Sequence, residues 1–99
     1  MAIQKASLKL ITRPALLLAI KECRELGREA FLAKYGFRKA SGYVLTYRRA
    51  TYDPKALVGA AAQHTEAGRA YTANEFSGGV ASLGRVFQRC GFTQTEVAR

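Results

Sequence analysis

The sequence predicts a small, mainly helical α+β domain with about four helices and one short β-hairpin. Apolar residues recur at helical spacing in several separate stretches, and one run, Tyr43-Val44-Leu45-Thr46-Tyr47, is β-branched and aromatic. No internal repeat, low-complexity tract or linker divides the 99 residues, so a single domain is expected, with its core over about residues 12–92 and frayed ends. With 48% hydrophobic residues, the chain can bury a real core and is not of the disordered class.

The elements follow in order. Thr12 reads as an N-cap and Pro14 sits in the first turn, so a helix is expected over 13–26. Leu16, Ile20 and Cys23 share its inner face, with Ala15, Ala19 and Leu26 beside them, and Gly27 stops it. A shorter helix over 28–35 carries Phe31, Leu32 and Tyr35 and ends at Gly36. Residues 37–42 read as a basic loop. The aromatic run then forms a strand with Tyr43, Leu45 and Tyr47 on one face. Ala50-Thr51-Tyr52 returns as its partner, although Arg48-Arg49 lacks the Gly or Asn that a tight two-residue turn favours.

Asp53-Pro54 marks the sharpest boundary, with Asp as cap and Pro at the first helical position. That helix is expected to reach His64, with Leu57, Ala60, Ala61 and His64 on one face. Thr72-Ala73-Asn74-Glu75 matches a capping box and predicts a short helical turn, with Phe76 packed inward. Ser77-Gly78-Gly79 opens a last helix over 80–90. Val80, Leu83, Phe87 and Cys90 face inward there, while Ser82, Arg85 and Arg89 face solvent. Gly91 caps it, Phe92 folds back, and residues 93–99 are expected to fray.

Charge is the strongest global signal. Sixteen Lys and Arg against seven Asp and Glu give +9, an excess that attracts polyanions. Residues 34–55 alone carry +5, through Lys34, Arg38, Lys39, Arg48, Arg49 and Lys55 against Asp53. Such clustering suits a nucleic-acid-binding surface better than a general solubility charge. No apolar run is long enough to span a membrane and no secretory cleavage pattern follows the first one, so a soluble cytoplasmic protein is expected. Cys23 and Cys90 fall on apolar helical faces and read as free buried thiols of a reducing compartment.

Catalytic signatures are missing from the sequence. His64 is the only histidine, and no nucleophile elbow, P-loop, HExxH or paired-cysteine metal motif occurs. No enzyme activity, metal or cofactor is therefore expected. Arg48, Arg49, Tyr52 and Lys55 form the first binding candidate: arginine grips phosphate or guanine edges, and tyrosine stacks or donates to phosphate. The competing reading is an exposed basic turn with its tyrosines packed inward. Ser77, Gly78 and Gly79 form the second, as a helix start whose free N–H groups favour an anion; close helix packing explains the two glycines equally well. Arg85 and Arg89, on the exposed face, would extend a basic surface that also includes Lys34, Arg38 and Lys39.

Several of these segments, taken in order, resemble the N-terminal head domain of McrA-like (ScoMcrA-like) modification-dependent restriction endonucleases, which carry an HNH nuclease. Phe31-Leu32-Ala33-Lys34-Tyr35-Gly36 precedes the strand Tyr43-Val44-Leu45; Tyr52-Asp53-Pro54-Lys55-Ala56 is similar to the family's tyrosine–x–x–lysine–alanine helix start. Phe76-Ser77-Gly78-Gly79 resembles its FSGG element, and Gly91-Phe92 its closing pair. Arg48-Arg49-Ala50 departs from the pattern, since a glycine turn is common there, and no HNH motif occurs in these residues. The resemblance implies a non-catalytic targeting module of a type IV restriction system. It would bind double-stranded DNA, modified or unmodified, while a nuclease domain or partner subunit cuts. Lys55, Ser77, Gly78 and Gly79 carry over as matched positions. A standalone transcriptional regulator or RNA-binding module would use the same charge. A protein-interaction or dimerisation domain docking on a nuclease would not depend on it.

Overall fold

Four helices and an antiparallel hairpin form in the expected order, which makes the chain a small α+β domain. The computed structural model describes residues 6–40, 44–77, 79–92 and 95–96, with the backbone alone for Val80, Thr95 and Glu96. Ser41, Gly42, Tyr43, Gly78 and most of 93–99 lie outside the described residues, and with them the expected places of Tyr43 in the strand and Gly78 at the helix start.

Helix α1 spans Arg13–Leu26 and begins where the Thr12 hydroxyl accepts a hydrogen bond from the Ala15 N–H. Its inner face buries Ala15, Leu16, Ala19, Ile20 and Cys23. Leu26 was expected beside them, but it is the last helical residue before the chain turns at Gly27, and it stays 45% exposed. Helix α2, Arg28–Tyr35, buries Phe31 and Leu32 and stops at Gly36, whose φ of +74° lies in the left-handed region.

Strands β1, Val44–Tyr47, and β2, Ala50–Tyr52, pair antiparallel with Tyr47 opposite Ala50, which leaves only Arg48 and Arg49 in the turn. The tight hairpin that the missing glycine argued against is therefore formed. Strand β3, Thr95–Glu96, adds to the free edge of β1 and gives the order β2-β1-β3, where frayed chain was expected. An open edge offers unpaired backbone groups, and even a two-residue segment gains by pairing with them.

Helix α3, Pro54–Ala61, packs against α1 at the centre of the molecule, and all of it but Lys55 is buried. It tightens into a 3₁₀ turn at Ala62–His64, and His64, expected on the inner face, is exposed as a result. Of the expected Thr72–Glu75 capping box only the Glu75 half forms: Glu75 accepts from the Thr72 N–H at 2.8 Å, while the Thr72 hydroxyl donates to Glu75 at 3.1 Å and the Glu75 N–H donates to the Thr72 carbonyl. It closes an isolated turn, however, and no helix follows directly. Helix α4, Val80–Arg89, buries Leu83, Val86 and Phe87 and leaves Arg85 and Arg89 outside, as its periodicity implied. Beyond it Gly91 takes φ +85°, and Phe92 folds back to donate its N–H to the Phe87 carbonyl at 2.8 Å.

Asp53 stands before α3 but does not cap it with its side chain. Its two oxygens instead accept from the Arg28 guanidinium at 2.7 Å each, and one also accepts from the Ala40 N–H at 2.6 Å. Burial alone would raise the Asp53 pKa, but Arg28 and the Ala40 N–H outweigh it and hold the carboxyl below the usual aspartate value. A depressed folded pKa contributes stability at neutral pH that is lost as pH falls through the folded value. The Asp53→Asn variant is therefore expected to be less stable by about 1–2 kcal/mol near neutral pH, because Arg28 is half solvated. The gap should narrow as pH falls through the folded Asp53 pKa, below the usual aspartate range, in urea melts followed by circular dichroism.

Candidate nucleic-acid interface

Folding redistributes the basic cluster of residues 34–55. Lys34 pairs with Glu22, which also accepts from the Tyr35 hydroxyl, and Lys39 lies 3.8 Å from Glu29. Lys55 points inward, donating to the Ala73 carbonyl at 2.7 Å with its ammonium 5.3 Å from the Phe76 ring centre. Tyr52, a candidate for stacking on a base, is only 6% exposed and packs in the core, where burial raises its phenol pKa. Lys34 is thus neutralised, while Lys55 and Tyr52 serve the fold, because long-range packing claims them. Arg38, Arg48 and Arg49 remain exposed, with no ion pair among the described residues.

Arg48 and Arg49 hold φ of +50° and +69°, the left-handed conformation that a two-residue hairpin demands and that glycine or asparagine supplies more cheaply. Arg48 rests its guanidinium 5.3 Å from the Tyr47 ring centre, and both arginines are exposed. Local backbone strain is thus kept at an exposed cationic turn. Replacing the pair by Asn-Gly is expected to raise stability by about 1–2 kcal/mol in thermal melts, since the turn then adopts its natural geometry. A loss of stability would mean that the arginines themselves hold the hairpin.

The turn does not stand alone. Tyr47 meets Phe92 edge to face at 5.1 Å, and the Arg13 guanidinium lies 4.6 Å from the Phe92 ring centre. Arg13 also donates to the Cys90 carbonyl at 3.0 Å, and the adjacent Arg89 donates to the Leu8 carbonyl at 2.9 Å. Stacked contacts therefore run from Arg48 through Tyr47 and Phe92 to Arg13, and Arg89 stands beside its far end. Two clefts bear cations, and the first of them includes Tyr47 and Arg48 of the ladder. One, of about 530 Å³, lies between α1 and the hairpin and is lined by Leu17, Ile20, Lys21, Arg24, Glu25, Tyr47 and Arg48. The other, of about 580 Å³, lies between the segment before α1 and α4, where Lys9, Arg85 and Arg89 supply the charge.

Lys9, Arg13, Lys21 and Arg24 were not among the residues singled out from the sequence. Arg13 had left a signal. A cation in the first turn of a helix opposes the helix dipole, and Arg13 occupies the first position of α1. Arg28 begins α2 and Lys55 the first turn of α3 in the same unfavourable setting. Each reaches a distant acceptor: Cys90 O, Asp53 and Ala73 O, respectively.

At the other helix start, the Ser77 hydroxyl accepts from the Gly79 N–H at 3.2 Å, and both residues are exposed. A Cβ added at Gly79 would meet nothing nearer than the Ser77 Oγ at 3.4 Å, and its φ of −63° is open to any residue. Close packing therefore does not explain Gly79. The close approach occurs at Gly59, where a Cβ would lie 2.4 Å from the Phe37 ring and 2.8 Å from the Tyr71 carbonyl oxygen.

Fold and surface together define a small α+β domain with exposed, unpaired arginines. The family model of the ScoMcrA-like N-terminal head domain matches residues 9–96, and the chain belongs to that family. It is thereby a head-domain module of McrA-type restriction systems. No curated protein and no solved structure matches the chain. Two of the sequence elements that carry the resemblance touch each other: Lys55 of the helix-start motif grips Ala73 and covers Phe76 of the FSGG element. In this chain the two elements are thus joined by a direct contact. Among the described residues, no helix is long and apolar enough to cross a membrane.

Proposed function

We propose that the domain is a non-catalytic targeting module that binds duplex DNA, including modified DNA, in the cytoplasm, while a nuclease domain or partner subunit cuts. The observation that carries this reading is the set of exposed arginines left without an ion pair, although Glu25 shares the cleft of Arg48. Glu22, Glu29, Asp53 and Glu75 are engaged by Lys34, Lys39, Arg28 and Arg69. Arg13, Arg48, Arg85 and Arg89 form no ion pair among the described residues; Arg13 and Arg48 lie on the aromatic ladder, and Arg85 and Arg89 line the cleft beside α4. Exposed unpaired cations neutralise phosphates and supply affinity without sequence information. Asp53 and Glu75, the two carboxylates held by arginine, are poor general bases, which supports a non-catalytic role. In Glu75, the Arg69 guanidinium and the Thr72 N–H lower the carboxyl to about 2.

Fluorescence anisotropy at matched physiological salt tests the reading. Identical duplexes are compared unmodified, cytosine-methylated, adenine-methylated and phosphorothioated, beside single-stranded RNA. Duplex DNA is expected to bind best. Tighter binding of the RNA overturns the reading in favour of an RNA-binding module, and binding to neither overturns it in favour of a protein-docking domain.

A further inference from the structure

The hairpin tip carries an inference that rests on the duplex-binding reading above and extends it to the kind of groove contacted. A two-stranded ribbon that reads the major groove, about 12 Å wide, must project from its domain to enter it. This hairpin does not project. Its last ladder pair, Tyr47 and Ala50, is packed against the core, and the Tyr47 ring is held against Phe92. Beyond that pair only Arg48 and Arg49 remain, both exposed and both in a backbone conformation that costs energy in any residue with a side chain.

Single long cationic side chains, without the backbone behind them, suit the minor groove, which is about 6 Å wide. There a narrow A·T-rich groove concentrates negative potential and draws in arginine. Arginine is favoured over lysine because its guanidinium is more weakly hydrated. Further cations stand near the tip, with Glu25 among them in the same cleft. Lys21 and Arg24 share the cleft with Arg48, and Arg13 reaches the hairpin through Phe92.

We infer that Arg48 and Arg49 are minor-groove probes that give this domain a preference for duplexes with a narrow, A·T-like minor groove. The inference concerns DNA shape and is independent of any modification carried in the major groove.

The test uses three duplexes of equal length whose central segments are A·T, G·C or inosine·C pairs. Inosine·C keeps the major-groove hydrogen-bonding pattern of G·C but lacks the amino group in the minor groove. The A·T and inosine·C duplexes are expected to bind about tenfold more tightly than G·C. In the R48K/R49K variant, whose charge is unchanged, the preference is expected to fall below about twofold while salt-dependent binding persists. Equal binding of G·C and inosine·C by the native chain overturns the inference and leaves duplex binding standing. So does a preference that survives in a folded R48K/R49K variant. Loss of all salt-dependent duplex binding in the native chain overturns both readings.

Discussion

Replacing Arg48, Arg49 and Arg85 together by glutamine is expected to weaken duplex binding about a hundredfold near physiological salt. The dependence of log K on log salt should become shallower by about 3, because each neutralised phosphate contributes close to one unit. These three arginines are exposed, and none makes a hydrogen bond or ion pair among the described residues. The melting temperature should therefore change little, which separates loss of a contact surface from loss of fold. Arg13 and Arg89 are less suitable targets, since Arg13 also ties the start of α1 to Cys90, and Arg89 ties α4 to Leu8. Unchanged affinity in the triple variant would remove these arginines from the binding site.

Gly59→Ala is expected to destabilise the domain by about 2 kcal/mol, although alanine is the better helix former by about 1 kcal/mol. The new methyl would press on two neighbours. The Phe37 ring can swing, but the Tyr71 carbonyl oxygen is backbone, 2.8 Å from the added carbon. Tyr71 cannot retreat freely: its N–H donates to the Gly59 carbonyl at 2.9 Å, and its hydroxyl to the Ser7 carbonyl at 3.0 Å. A fall of about 10 °C in melting temperature is the expected reading for a domain of this size. A more stable variant would show that the 65–79 segment yields more easily than these bonds imply.

Helix placement was largely legible in the sequence because its signals are local. Thr12, Gly27, Gly36 and Pro54 act within a few residues of themselves, and the helix bounds follow from them. The hairpin turn was harder to read. Its closure is dictated by the pairing of Leu45 with Tyr52 and the burial of both, which overrides the preference of the turn residues. Strand β3 has no local signature and exists only because β1 offers an edge.

The site was legible only in part. The sequence cluster at 34–55 located the charge but not its fate, since Glu22 and Ala73, which claim Lys34 and Lys55, are 12 and 18 residues away along the chain. Arg48, Arg49, Arg85 and Arg89 kept the exposed positions that their spacing implied. Arg13 joined them through contacts with Cys90 and Phe92 that span almost the whole sequence.

Salt dependence of duplex binding by the native domain tests the proposed role of the unpaired arginines most directly. With about four to six phosphates engaged by its cations, log K should fall against log salt with a slope of about −4 to −5. A slope near zero, at any affinity, would contradict DNA binding through the Arg13–Arg48 surface.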